Sequence, residues 1–244
     1  MKRRRETEKQ SSSELRSAIE ELSLLEAMKL NHHPVVADDQ ENATHLPLKP
    51  FLSLCNFLLH LLDKIGPTMV VLRQDINRNI QRMEKMQESD PKLYSNVVEI
   101  LKKEASEGMS RKVTSCSKAF LWLTRSLDFT VNLLELIEKD TGVDMEHAVE
   151  VAYESTLKPW HGWISSTAYR VARKLVPDNK TMIEILISES KDEETLKDDI
   201  KTFTTLLIPL LDDIHAILYV FIYTTGNLWV GQAEGDLKTD LREQ

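Results

Sequence analysis

Turn formers are scarce in this chain, with 7 glycines and 8 prolines in 244 residues. A many-stranded β architecture needs more of them, so long helices are favoured. Two cysteines, Cys55 and Cys116, are too few for a disulfide framework and cannot alone supply a four-ligand zinc site. Both lie within apolar helical patterns, as free thiols of a reducing compartment would. An excess of positive charge is also missing: 31 Lys and Arg against 39 Asp and Glu leave a net charge of −8. That balance argues against a nucleic-acid binder working by phosphate neutralisation. The basic start, MKRRRETEKQ, is not followed by an apolar run, so it does not read as a secretory signal. Long uninterrupted apolar runs are lacking as well. In LLIPLLDDIHAILYVFIY, Asp212 and Asp213 split the stretch into pieces short of the ~20 residues a bilayer crossing needs. The expectation is a cytosolic protein.

What is present is the composition of a globular domain, 41% hydrophobic and 29% charged. Area scaling for this length allows about 73% of the unfolded surface to be buried. Residues 1 to 12 are too polar to offset their ordering entropy and read as a flexible tail. From Ser13, Leu15, Ile19, Leu22, Leu25 and Met28 recur at helical spacing, giving one amphipathic helix to Leu30 that either packs on the body of the protein or serves as a partner surface. A linker, His32 to Pro47, contains His32-His33 and the sequon Asn42-Ala43-Thr44; neither is expected to function, as a metal site or as a glycan acceptor. Pro50 to Ile65 is almost continuously apolar and reads as a helix buried on most sides, ended by Gly66-Pro67. Further periodic stretches cover Thr68 to Glu88, Pro91 to Gly108, Ser115 to Thr141, Asp144 to Pro177, Lys180 to Ser190 and Glu193 to Tyr223, each bounded by a stop or cap signal. Nothing alternates at period two long enough to form a sheet, so the fold class is all-α.

Three polar sets interrupt these apolar helices. Asp75, Asn79 and Arg82 stand at i, i+4 and i+7, placing an acceptor, an amide and a forked donor on one stripe beside Ile76, Ile80 and Met83. Such a row either grips a polyhydroxylated group or is an ordinary solvated face. In SKAFLWLTRSLDFT, Ala119, Phe120, Leu123 and Leu127 form the expected core stripe, while Lys118, Trp122, Arg125 and Phe129 project from the neighbouring one. The indole of Trp122 can stack on the apolar side of a sugar or lie under a cation; the alternative is a core Trp capped by snorkelling Lys and Arg. In TLKPWHGW, Trp160, His161 and Trp163 crowd into four residues behind Pro159, which is expected to kink the helix. Two tryptophans two positions apart cannot face one core, so at least one is expected near the surface, where it would suit a membrane interface. His161 has three readings: a hydrogen-bonding ligand group, a general base, or a satisfied core histidine.

Catalysis finds little support. No G-x-S-x-G elbow, phosphate-cradling glycine loop or H-E-x-x-H helix is present, and no serine or cysteine is placed as a nucleophile. The expectation is a protein that is not an enzyme and needs no cofactor or metal.

Taken in order, KPFLSLCNFLLHLLDKIGPTMVVLRQDINRNIQRMEK, FLWLTRSLDFT and AYESTLKPWHGWISSTAYRVARKLVP resemble the glycolipid transfer protein family, in particular its plant members, over roughly residues 48 to 210. The resemblance implies a two-layer all-α sandwich whose apolar pocket takes up the ceramide chains of one sphingolipid, with the headgroup at the surface. It implies that Asp75 bonds the ceramide amide and headgroup oxygens, that Asn79 and Arg82 bond the headgroup, that Trp122 stacks beneath a sugar, and that His161 bonds the amide carbonyl. Trp163 and Trp160 would meet the membrane. Asn79 and Trp122 match glycolipid-type members, whereas Lys118 stands where ceramide-1-phosphate-type members carry Arg, and Arg82 replaces a common Lys; the balance leans to a glycosylated headgroup. The domain would span residues 45–230, preceded by an extension of residues 1–44 with its one helix and followed by a polar tail, 231–244. The expected partners are a sphingolipid and, transiently, a membrane surface, with no nucleic acid. A rival function, a sphingolipid sensor acting through a protein partner, is suggested by the cell-death-linked plant branch of the family, with the N-terminal helix as the candidate surface. Pro209 is expected to break the last helix, and Trp229 has no evident helical partner.

Overall fold

A computed structural model describes residues 14–30, 45–161, 163–187 and 192–223, apart from the side chains of residues 28–30, 163–166, 168, 222 and 223. The α-helices run α1 (Glu14–Leu30), α2 (Leu48–Ile65), α3 (Val70–Ser89), α4 (Val97–Ser106), α5 (Cys116–Lys139), α6 (Met145–Thr156), α7 (Trp163–Arg173), α8 (Asn179–Ile187) and α9 (Glu193–Tyr223). Among the described residues there is no strand; one isolated bridge joins Pro47 to Asn96. The helices form a two-layer sandwich around one apolar interior, in which α5 adjoins α3, α6 and α9, and α1 lies against α2 and α9. The expected tail, linker and terminal segment, including His32, His33, the sequon and Trp229, lie outside the described residues.

Periodicity explains the core. On α2, Phe51, Leu54, Cys55 and Leu58 are buried, and Phe57 and Leu59 join them, so the helix is covered on most sides. Gly66, at φ 105°, turns the chain after Ile65 with its N–H donated to the Leu62 carbonyl at 3.1 Å; a side chain would be strained there. The four residues of the α5 core stripe, Ala119, Phe120, Leu123 and Leu127, are fully buried, and Phe120 meets Phe51 edge to face at 5.0 Å. Phe57 packs on Phe203 of α9 at 5.3 Å, closing the interior from the other side. On α1, Leu15, Ala18, Leu22 and Leu25 are buried in the same core, and Arg16 pairs with Asp199 of α9 at 3.0 Å. The apolar face that a partner helix would need is thus already covered.

Polar groups fasten the start of α5. Glu104 of α4 accepts from the Cys116 and Ser117 amides, both at 2.7 Å, and from the Ser117 hydroxyl at 2.6 Å. Ser115 caps the helix by accepting from the Lys118 amide at 3.0 Å, and donates its hydroxyl to the Ser110 carbonyl at 2.9 Å. These bonds satisfy amides that a helix start otherwise leaves orphaned.

The structure corrects four sequence expectations. The stretch from Pro91 to Gly108 is not one helix, because Asn96 interrupts it: its side-chain oxygen accepts from both Val98 and Leu46 amides at 3.1 Å, capping α4 and tying the preceding segment to it. The stretch from Asp144 to Pro177 is broken rather than kinked. Pro159 lacks an amide hydrogen and disfavours helix at Lys158, so α6 stops at Thr156 and a 3-10 turn, Lys158–Trp160, precedes α7. Conversely, Pro209 does not break α9, since Leu207, Leu210, Leu211 and Ile214 bury the helix on both sides of it while Pro209 itself faces solvent. Burial at about 1.5–3 kcal/mol per side chain outweighs the roughly 3 kcal/mol cost of a helical proline. The same helix is long and apolar enough to cross a membrane despite Asp212 and Asp213, but Phe203, Leu207 and Ile214 of its apolar face are fully buried in this core.

Candidate functional site

The stripe on α3 faces the beginning of α5. Arg82 donates through Nη1 to the Asn79 side-chain oxygen at 3.3 Å and to the Ser115 carbonyl at 3.5 Å. The Cys116 thiol in turn donates to the Arg82 carbonyl at 3.6 Å. Asn79 is buried, Arg82 half-buried and Asp75 exposed, so the stripe climbs from the interior to the surface. Because α3 packs along α5 while Arg82, near its C-terminal end, meets the first residues of α5, the two helices run antiparallel. The seven positions from Arg82 back to Asp75 then match the seven from Ser115 forward to Trp122, about 10 Å along each axis. By helix rise alone, Asp75 would fall at about the height of Trp122, with Lys118 one turn before Trp122 on α5.

The second group gathers at Trp122. His161, carried there by the turn that Pro159 forces, sits with its ring centroid 5.4 Å from Trp122, tilted 37°. Its Nδ1 is 3.3 Å from the Tyr153 hydroxyl, and Tyr153 is itself stacked on Tyr169 of α7 at 3.4 Å and 7°. Burial, reinforced by the nearby Arg125 guanidinium, holds the His161 pKa below its usual 6.5, so the ring is neutral at neutral pH. A neutral imidazole has one donor and one acceptor nitrogen, which suits a hydrogen bond to a neutral polar group.

Arg125, which sequence reasoning placed beside Trp122 without giving it a role, is 5% exposed. Its guanidinium carbon lies 5.0 Å from the Trp122 ring centroid and 4.0 Å from that of Trp160. Desolvation lowers its pKa to about 10, opposed by Asp128. So Trp122 is not capped by a snorkelling arginine; it is stacked on a buried one. The sequence signal was present, since Trp122 and Arg125 are three positions apart on a helix. Tyr153 left no such signal, because it reaches His161 only through the break at Pro159.

Trp160 is half-buried, with its ring against Arg125 and another part of it lining a cleft of about 350 Å³ shared with Asp128, Asn132, Ser155, Asp212 and His215. There His215 of α9 bonds Asp128 of α5 at 2.9 Å, which raises the histidine's pKa. The Trp163 side chain lies outside the described residues, although its backbone opens α7. Lys118 is half-buried on the first turn of α5. The structure thus brings Asn79 to Arg82, and His161 to Trp122, on or beside two helices, α3 and α5, that pack against each other.

Both thiols are buried and desolvated, with Cys55 pushed far up and Cys116 pushed up to about 12, so neither supplies a thiolate near neutral pH. Among the described residues no group of three or more His, Cys, Asp or Glu could hold a metal ion.

The sequence model of the glycolipid transfer protein family matches residues 46–188, which include α2 through α8 and the candidate site. The chain belongs to the glycolipid transfer protein family. It is 54% identical to Arabidopsis thaliana glycolipid transfer protein 3 over 217 residues, 88% of this chain and 92% of that protein. It is 50% identical to Arabidopsis thaliana glycolipid transfer protein 2 over 89% of this chain and 95% of that one. Among solved structures, FAPP2, described as selecting simple glycosphingolipids with the same fold, superposes with a TM-score of 0.69 at 21% identity, covering 79% of this chain and 92% of that one. A variant of Arabidopsis ACD11 bound to C12 ceramide-1-phosphate superposes with a TM-score of 0.71 at 17% identity, covering 88% and 96%. At these identities the superpositions establish the shared fold. The family match ends at residue 188, yet α9 supplies a wall of the same core.

Proposed function

We propose that this protein binds one sphingolipid and moves it between membranes, holding the ceramide chains in the apolar interior and the headgroup in the polar site of α3, α5 and the turn before α7. What supports the reading is that α3, which bears Asp75, Asn79 and Arg82, packs along α5, which bears Trp122 beside His161, and that the inner stripes of both helices, Ile76, Ile80 and Met83 on α3 and Phe120, Leu123 and Leu127 on α5, are buried core. Polar recognition and apolar shelter adjoin each other there. Exposing ceramide chains to water costs about 0.8 kcal/mol per CH₂, which makes unassisted exit very slow. A soluble apolar interior lowers that barrier without a covalent step or a cofactor. Specificity follows from the polar row, since a partner left unpaired by the wrong headgroup costs about 1–3 kcal/mol.

In this reading Asp75 accepts from the ceramide amide and the headgroup, Asn79 and Arg82 hold headgroup oxygens, Trp122 is the platform beneath a sugar, and neutral His161 donates to the amide carbonyl. Lys118, one turn before Trp122, adds a charge that a phosphate or a polar sugar would meet. Trp160 and Trp163 mark the segment that meets the bilayer during exchange, from the cytosolic side. A glycosylated ceramide is favoured over ceramide-1-phosphate, on the aromatic platform of Trp122 and on the names of the relatives at 50–54% identity. The test is Asp75→Val. Because Asp75 is exposed and makes no hydrogen bond among the described residues, the lipid-free melting temperature should hold, while vesicle-to-vesicle transfer of a fluorescent glycosylceramide falls by about ten- to hundred-fold. Unchanged transfer would remove Asp75 from the site.

A further inference from the structure

We infer that Arg125 is a positioning residue of this site: its guanidinium holds Trp122 and Trp160 in one stack and so fixes the platform against which His161 rests. The inference rests on the sphingolipid reading above and assigns how its aromatic platform is kept in place.

Three observations carry it. First, the guanidinium sits within 5.0 Å of one indole centroid and 4.0 Å of the other, so a single planar cation contacts tryptophans that belong to α5 and to the turn after α6. Arginine suits this role because its flat face stacks and is weakly hydrated, properties an ammonium lacks. Second, Arg125 is buried yet donates to no acceptor among the described residues. The nearest carboxylate along the helix, Asp128, is instead bonded by His215 of α9 at 2.9 Å. The cation's direct partners are therefore the two rings. Third, Trp160 borders the cleft of about 350 Å³ that opens towards α9, so without the stack it has room to turn away from Trp122. The ring of His161 rests against Trp122 at 5.4 Å, and a shift of the platform reaches it directly.

The groups around His161 and Arg125 come from three elements: Asp128 on α5, Tyr153 on α6, and Asp212 and His215 on α9. Burial holds the His161 pKa down, and the Arg125 guanidinium lowers it further. Loss of the cation therefore has an electrostatic signature that a packing defect alone does not produce.

The test uses the full chain with Arg125→Leu and Arg125→Lys. Arg125→Leu is expected to cut transfer of a fluorescent glycosylceramide between phosphatidylcholine vesicles by about ten-fold, to flatten the tryptophan bands in near-ultraviolet circular dichroism, and to raise the His161 pKa read by proton NMR. Arg125→Lys keeps the charge but not the planar face, so the His161 pKa should return towards its wild-type value while transfer stays reduced by a few-fold. Should Arg125→Leu not fold, the lysine variant decides alone: wild-type transfer with wild-type near-ultraviolet bands overturns the proposal. The same result from a folded Arg125→Leu overturns it too. If the wild-type chain moves no sphingolipid, the transfer reading fails, and the circular dichroism and His161 pKa still decide whether Arg125 holds the stack.

Discussion

Glu104, packed against the start of α5, and Arg125, on α5 itself, are both buried, at 6% and 5% exposure, yet the protein surrounds them in opposite ways. The carboxylate of Glu104 receives three short hydrogen bonds from the start of α5, at least one on each oxygen. The guanidinium of Arg125, about two and a half turns further along, meets two aromatic faces and no acceptor among the described residues. A buried charge bonded by backbone amides locks helices together; one set between two aromatic faces fixes side chains instead. By this contrast the N-terminal end of α5 is scaffold and its middle is site.

The largest effect should come from emptying the saturated end. Glu104→Ala leaves two buried amides and a hydroxyl unpaired and should cost about 3 kcal/mol of stability, a fall of about 6–12 °C in Tm by calorimetry. Transfer per folded molecule should stay near wild type. A stable variant that fails to transfer would place Glu104 in the site and break the contrast.

A smaller, pH-dependent effect should sharpen it. The two histidines flanking the Arg125 stack are shifted in opposite directions. The pKa of His161 is depressed, so its folded state binds fewer protons than the unfolded one; its contribution is present above the usual 6.5 and lost as pH falls through the depressed value. The pKa of His215 is raised, chiefly by its hydrogen bond to Asp128; its contribution is full below 6.5 and lost as pH rises through the raised value. With the side chain of His215 49% exposed, solvent screening keeps this second contribution under about 1 kcal/mol. Thermal melts of wild type and His215→Gln across this range should show the variant losing the alkaline decline and keeping the acid one. A His215→Gln melt with wild-type pH dependence would mean that Asp128 does not tether α9.

Much of this was legible in the sequence because helical periodicity reports burial directly. The core stripe of α5 and the apolar face of α1 lie where Leu and Phe spacing put them, and the Asp75, Asn79, Arg82 stripe is a consequence of i, i+4, i+7 geometry. What spacing could not give was anything that depends on a break. Pro159 ends α6 outright, and only that break swings His161 back onto Trp122 and Tyr153. Asn96 interrupts a periodic stretch through a tertiary bond to Leu46, fifty residues earlier, which no local pattern encodes. Pro209 fails as a breaker for the reverse reason, since tertiary burial on both sides outweighs the local penalty. The role of Arg125 was hidden because its second ring, Trp160, arrives from another element.

The most direct test of the central claim is transfer by the purified wild-type chain between phosphatidylcholine vesicles, comparing fluorescent glucosylceramide, galactosylceramide, lactosylceramide, ceramide-1-phosphate and a phosphatidylcholine control. The account predicts rapid transfer of a glycosylated ceramide, slower transfer of ceramide-1-phosphate, and none of phosphatidylcholine. Preference for ceramide-1-phosphate would move the headgroup role from Asn79 and Trp122 to Lys118 and Arg82, and transfer of no sphingolipid at all would contradict the account.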